Sequence, residues 1–244
     1  MQRVDEVWKE KEQVEIFLEG IRDAIPFFED QLRTMMRLIE GLPVRSFLDL
    51  GCGDGILAER ILRAYPGARG TLLDFSLPML EKARKNLEGY CAALNFVEAD
   101  LAKSDWPDKA GEDGKTTFDL VVSSYAIHHQ SETVKKSIYK ALYGLLNPGG
   151  FFVNIDHVAS RDERIRNISN DFFIDSLRTY HEQQEGPGDF QKVRQLFLKR
   201  MAEEAPVLST VSSQCRWLSE CGFVEVDCFF KVFELAVFGG RRPG

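Results

Sequence analysis

Residues Phe47 to Gly55, FLDLGCGDG, set an apolar run directly before three glycines at alternate positions, with Asp49 ahead of the turn and Asp54 inside it. A strand, a Gly-x-Gly-x-Gly turn and a helix bring backbone amides against a ligand, and glycine tolerates the required backbone angles. A dinucleotide fingerprint would put its third glycine at position 56, where this chain has Ile56. A pyrophosphate also seeks amide donors with no anion nearby. Two carboxylates beside this turn call instead for a ligand with a positive end.

S-adenosylmethionine meets that demand, since it carries an ammonium and a sulfonium and no phosphate. On this reading Asp49 draws the methionine end, and Gly51, Cys52, Gly53 and Gly55 form the turn that makes room for it. The next strand ends in LLDF, where Asp74 can accept from both ribose hydroxyls, and Phe75 and Met79 cover the adenine. The third strand ends in VEADLAK, where Asp100 accepts from the adenine amine and the Leu101 amide donates to a ring nitrogen. Ser123, near the end of the fourth strand, completes the cofactor set, and S-adenosylhomocysteine would be the product.

Methyl transfer from a sulfonium is an in-line displacement, and most of its rate can come from holding acceptor and methyl group in line. The place to look is beyond the carboxyl ends of the strands. The fourth ends in SSYAIHHQ, which makes Tyr125, His128 and His129 the catalytic candidates. An imidazole near pKa 6.5 suits a base or an orienting group. The competing use of either histidine is a cap on the following helix. Asp156 and His157 end the fifth strand on the same rim and raise a metal reading, but no tight ligand motif supports it, and no metal is expected. Tyr180, Arg200 and Asp156 are the candidates for acceptor contact.

These residues need elements to hold them. Apolar positions at helical spacing predict a helix over 3–21 and a second ending near Gly41. From SFLDL onward, strands and helices alternate: ILAERILRAY, GTLLDF, LPMLEKARKNL, LNFVEAD, a polar loop KAGEDGKTT, FDLVVSSYAI, ETVKKSIYKALYGLL stopped by NPGG, and FFVNIDHV. Alternation of this kind means βαβ units and a parallel sheet. Residues 161–204 break the rhythm with two helical patterns around EGPGD and read as a lid. The helix SSQCRWLSECG then leads to FVEVDCFF and VFELAVFGG, separated by Lys231 alone, an antiparallel hairpin at the sheet edge.

The totals narrow the class. A chain of 244 residues, 44% hydrophobic, suits one α/β domain with an appendage. A formal net charge of -7 disfavours a nucleic-acid partner, and the lid carries nearly balanced charge. Five cysteines without a CxxC pair, and no run approaching the ~18 apolar residues of a membrane span, point to a cytoplasmic protein off the membrane.

The segments DLGCGDG, LLDFS, EADL, FDLVVSSYAIHH and LNPGGFFVNID resemble the successive motifs of class I S-adenosylmethionine-dependent methyltransferases. The resemblance covers roughly 44–160 and resumes at WLSECGFVEVDCFFKVFELAVFGGR. It implies a Rossmann-like seven-stranded sheet in order 3-2-1-4-5-7-6, strand 7 antiparallel, with helices on both faces and the helical insertion as lid. Residues 1–160 and 205–244 would form one domain, with 1–41 as a helical cover over the cleft or, equally, a homodimer contact. The implied activity is methyl transfer to an O or N atom of a small molecule. IPFFEDQL, the Lys199-Arg200 pair and the CGF hairpin also distantly resemble carboxy-S-adenosylmethionine synthases of tRNA modification, in which Arg200 would bind the extra carboxylate. Outside this class stand an NAD-linked oxidoreductase, which glycine spacing and loop carboxylates oppose, and a silent cofactor-binding protein.

Overall fold

The computed structural model describes residues 4–10, 14, 22, 24–90, 92–111, 116–183 and 190–244. Strand β1 (Ser46–Leu50) lies in the middle of a seven-stranded sheet and is buried at every position. Beside it run β2 (Arg69–Asp74), β3 (Leu94–Glu98), β4 (Phe118–Ser124), β5 (Leu146–His157), β6 (Val224–Val232) and β7 (Leu235–Arg241), in the order β3-β2-β1-β4-β5-β7-β6. β1 to β5 are mutually parallel, and β7 is antiparallel to both β5 and β6.

Burial on both faces explains why the central strands read as unbroken apolar runs. Successive side chains divide between two cores. Phe47, Leu72, Leu120, Val122 and Val153 face helices α1 (Phe28–Ile39), α2 (Ile56–Ala64) and α3 (Leu77–Leu87). Leu48, Leu50, Leu73, Val121 and Phe152 face α4 (Trp106–Ala110), α5 (Glu132–Leu145) and α8 (Val211–Glu220). Side chains start the helices where the sequence offers them. Ser76 accepts from the Met79 amide, Ser131 from Val134 and Thr210 from Ser213.

The strand order reverses between β1 and β4, so their carboxyl ends part and leave a crevice there. The insertion forms α6 (Glu163–Gln183) and α7 (Phe190–Glu204), which pack through stacked rings of Phe173 and Phe197, 4.7 Å apart. α6 is tied to the chain ahead of α1 by Ser176 Oγ donating to the Ala24 carbonyl at 2.9 Å and by Phe172 against Phe27.

Four local readings change. The N-terminal segment begins as a 3-10 turn, Val4–Lys9, and most of the helix expected over 3–21 lies outside the described residues, as does EGPGD. NPGG does not form a break between helix and strand: β5 starts at Leu146, and the Gly149 amide already donates to the Arg242 carbonyl. The polar loop after β3 contains the short helix α4, whose Trp106 is buried. The terminal hairpin turns at Phe233 and Glu234, two residues beyond Lys231, with Phe233 left-handed at φ +49°.

Candidate functional site

All three glycines of the turn have positive φ, at +68°, +53° and +86° for Gly51, Gly53 and Gly55. The reason for glycine at 51 lies inside the protein. A Cβ there would sit 2.2 Å from Ala126 Cβ, so the missing side chain admits the end of β4. The turn amides are also partnered within the chain. Gly51 and Cys52 donate to the Leu73 carbonyl, Gly55 to Cys52, and Gly53 to Asp74 Oδ2 at 2.9 Å. The expected row of bare amides facing a ligand is therefore not what the turn offers. Its role is to bring β1, β2 and β4 together. Gly51→Ala should cost on the order of 2–4 kcal/mol from left-handed strain and overpacking. Adding Ala126→Gly should recover about half, measured by thermal melts, because it relieves the clash and leaves the backbone strain.

What the turn exposes is carboxylate. Asp49 is fully buried, its Oδ2 accepts from the Ala58 amide at 3.2 Å, and its Oδ1 has no hydrogen-bond partner among the described residues. Burial pushes its pKa up to about 8, against the Ala58 bond, with Asp74 and Asp54 adding repulsion. An unpartnered buried carboxylate of this kind fits the positive end of a ligand. Asp74 at the end of β2 accepts from Gly53 and, through Oδ1, from the Ser76 amide, so it braces the turn and the start of α3 together.

A cleft of about 670 Å³, counting its open mouth, runs from Gly51 and Gly53 past Asp74, Phe75 and Met79 to Asp100 and Leu101. Trp8 forms part of its wall, with its carbonyl held by Ser76 Oγ. A second recess continues over the turn to Asp49, Cys52 and Arg22, whose guanidinium lies 2.6 Å from Asp54. Gly55 caps α2 and lines neither recess. Ser123 is wholly buried and donates to the Leu50 carbonyl at 2.7 Å; the next residue, Ser124, reaches the cleft instead.

The fourth-strand rim is built differently from expectation. Tyr125 lines the cleft with a left-handed backbone, φ +50°, and donates to Gln31 Oε1 at 2.8 Å. Burial pushes its hydroxyl pKa far above the usual tyrosine value, which opposes use as a base. His129 reaches the cleft, whereas His128 is buried beneath it with Nδ1 2.6 Å from Asp156 Oδ1. Asp156 is wholly buried and also accepts from Asn154 Nδ2 and the His157 amide. It orients His128 and lines neither recess, so the expected acceptor contact at Asp156 is replaced by a positioning role. Tyr180 is half-buried on α6 and is not a wall of the cleft.

Sequence reading missed the residue around which this rim is organised. Glu204, at the end of α7, is buried among three histidines. Arg200 Nε donates to Glu204 Oε1 at 2.7 Å, and its guanidinium lies over the Trp8 ring at 4.5 Å. Burial opposes ionisation of Glu204, but the adjacent His157 imidazole and the His128, Arg200 and His129 charges hold it far below the usual carboxylate range. Burial alone would depress His157; the adjacent Glu204 and Glu234 carboxylates outweigh it and hold the imidazole up at about 9. Burial, with His128 adding, pushes His129 well below 6.5. The one sequence signal for Glu204 is its place four residues after Arg200 on a helix.

Residues 47–150 match the model of a protein family described as a methyltransferase domain. Over 109 residues the chain is 36% identical to an uncharacterized methyltransferase of Mycobacterium tuberculosis, covering 45% of this chain and 49% of that protein. The chain thus spans about half the length of the first curated relatives it matches. A carboxy-S-adenosyl-L-methionine synthase of Klebsiella pneumoniae is 22% identical over 242 residues, 97% of this chain and 92% of that one. Among solved structures, human N-acetylserotonin methyltransferase in complex with S-adenosylmethionine aligns at TM-score 0.61 and 17% identity, over 98% of this chain and 58% of that one. A Haemonchus contortus phosphoethanolamine N-methyltransferase aligns at TM-score 0.65 and 13% identity, over 99% and 59%. At these identities the structural likeness shows the fold.

Proposed function

We propose that the chain, whose residues 47–150 match a methyltransferase domain, is a class I S-adenosylmethionine-dependent methyltransferase that transfers a methyl group from S-adenosylmethionine to an O or N atom of a small molecule. The observation that carries this reading is the unpartnered Asp49 oxygen, buried where the turn meets the cleft that Asp74 and Asp100 line. When bound, the cofactor supplies a methyl group already activated on a positive sulfur.

The chain's own residues do the holding. Asp49 takes the ammonium, and Arg22 stands beside it for the carboxylate of the same amino-acid end. Asp74 takes the ribose and Asp100 the adenine amine, with Phe75, Met79 and the Leu101 backbone around the ring. Tyr125 and His129 line the cleft and would face the acceptor, with Trp8 forming part of its wall. The near-balanced charge of the insertion offers no grip on a polyanion. No helix among the described residues is long and apolar enough to cross a membrane.

Isothermal titration with S-adenosylhomocysteine, followed by label transfer from methyl-labelled S-adenosylmethionine to a panel of small carboxylates, alcohols and amines, tests this. No heat with either nucleoside, or binding of a nicotinamide dinucleotide in its place, would sink it. His129→Ala should leave cofactor affinity within about threefold and lower turnover at least tenfold; full activity would move the reacting surface elsewhere. One specific observation keeps a second reading alive. Arg200 stands beside a wall residue of the cleft, and the likeness to the synthases runs the length of the chain. A carboxylated nucleoside formed from S-adenosylmethionine and prephenate, lost in Arg200→Ala, would favour it.

A further inference from the structure

Three imidazole nitrogens point at one buried carboxylate. His128 Nε2 and His157 Nδ1 lie 3.7 and 3.8 Å from Glu204 Oε2, and His129 Nδ1 lies 3.7 Å from Oε1. None of the three is at hydrogen-bond distance. The outer nitrogens are tethered instead: His128 Nδ1 at 2.6 Å from Asp156 and His157 Nε2 at 3.3 Å from Glu234. A carboxylate is an acceptor only, so the outer nitrogens of His128 and His157 carry the protons. In a neutral His128 ring the inner nitrogen then presents a lone pair to Glu204, an arrangement that repels unless a positive species sits between them. His129 Nδ1 is itself buried with no hydrogen-bond partner among the described residues.

We propose that His128 Nε2, His129 Nδ1 and Glu204 form a divalent transition-metal site, opening on the cleft through His129. The donor atoms of His128, His129 and Glu204 all lie within 4.8 Å of one another. Ligand bonds of about 2.1 Å put donors roughly 3.0–3.4 Å apart, so side-chain shifts that shorten the widest separation by up to about 1.4 Å close the site. Two imidazoles and a carboxylate suit zinc, cobalt(II) or iron(II) and not magnesium or calcium, which want oxygen. Asp156 behind His128 provides the tether that metal-bound imidazoles usually have. Arg200 holds Glu204 by Oε1 and leaves Oε2 for the ion.

One contact must change. Trp8 Nε1 donates to His129 Nε2 at 3.4 Å, which puts the His129 proton on Nδ1. Metal at Nδ1 moves that proton to Nε2 and releases this long, weak bond.

The test uses the whole chain, stripped with chelator and dialysed, with no nucleoside present, so failure here leaves the methyl-transfer reading standing. Titration with Co2+ should saturate at one equivalent with visible ligand-field bands, and Zn2+ should displace it; Mg2+ should not. His129→Ala and Glu204→Gln should weaken binding at least tenfold, Asp156→Asn by about tenfold through the His128 tether, and His181→Ala not at all. The cobalt spectrum of the unmodified chain stands even if a variant fails to fold. No saturable binding below millimolar metal, bands typical of aqueous cobalt, or equal affinity in all three cluster variants would overturn the proposal and leave Glu204 as a counter-ion to imidazolium groups.

Discussion

Asp74→Ala is expected to weaken S-adenosylhomocysteine binding by about a hundredfold or more, read by isothermal titration. Each hydrogen bond to a charged group is worth about 1.5–3 kcal/mol, and two are lost at the ribose. The carboxylate also fixes the Gly53 and Ser76 amides, so the variant leaves two donors unpaired and loosens the turn itself. Asp74→Asn keeps one acceptor and should fall between, near tenfold. An affinity within threefold of the parent chain would place the ribose away from the end of β2. A second reading of the same experiment comes from amide exchange. Gly53 should lose protection in Asp74→Ala even without ligand, because the carboxylate oxygen that accepts from its amide is gone.

Asp49→Asn should separate binding from stability. In the empty protein the Asp49 carboxyl holds its proton up to about pH 8, well above its ordinary value. The folded state therefore binds more protons than the unfolded state between about pH 4 and 8. Stability from this group is full below about pH 4 and is lost as pH rises toward 8. Asparagine removes that slope, so the variant should melt at the parent's temperature near pH 4 and several degrees higher at pH 8. Ligand affinity should move the other way. An ammonium stabilises the carboxylate, so binding at pH 6.5 should expel close to one proton, counted from titrations in buffers of different ionisation heat. In Asp49→Asn that proton disappears and affinity drops at least tenfold. Proton release unchanged in the variant would mean that another group answers the ligand's charge.

The walls of the cleft were legible because they are local. Each strand end carries its own acidic residue, and the turn glycines follow β1 directly, so short windows of sequence place Asp49, Asp74 and Asp100 at the strand ends that line the two recesses. The purpose of Gly51 could not be read that way, since the atom it avoids belongs to Ala126, far along the chain. The rim was harder for the same reason. His128 and His129 stand out as a pair, yet what surrounds them comes from α7, the N-terminal segment and the β6–β7 turn. Nothing near Glu204 in sequence marks it as more than a helical surface charge. The hairpin register slipped because FFKVFELAVF has no glycine or proline at its turn. Phe233 takes the left-handed angle there without either, a choice that only tertiary packing against Phe172 makes visible.

The position of β7 has a consequence for biosynthesis. It follows β6 in the chain, yet it lies inside the sheet, zipped to β5 on one side and β6 on the other. While the ribosome is still working on β6, the growing polypeptide exposes the flank of β5 as an open template for any passing extended segment. Glu234, the anchor of His157, emerges at the same moment. A nascent chain halted before Leu235 would therefore lack the strand that joins β6 to the sheet and would be sticky along β5.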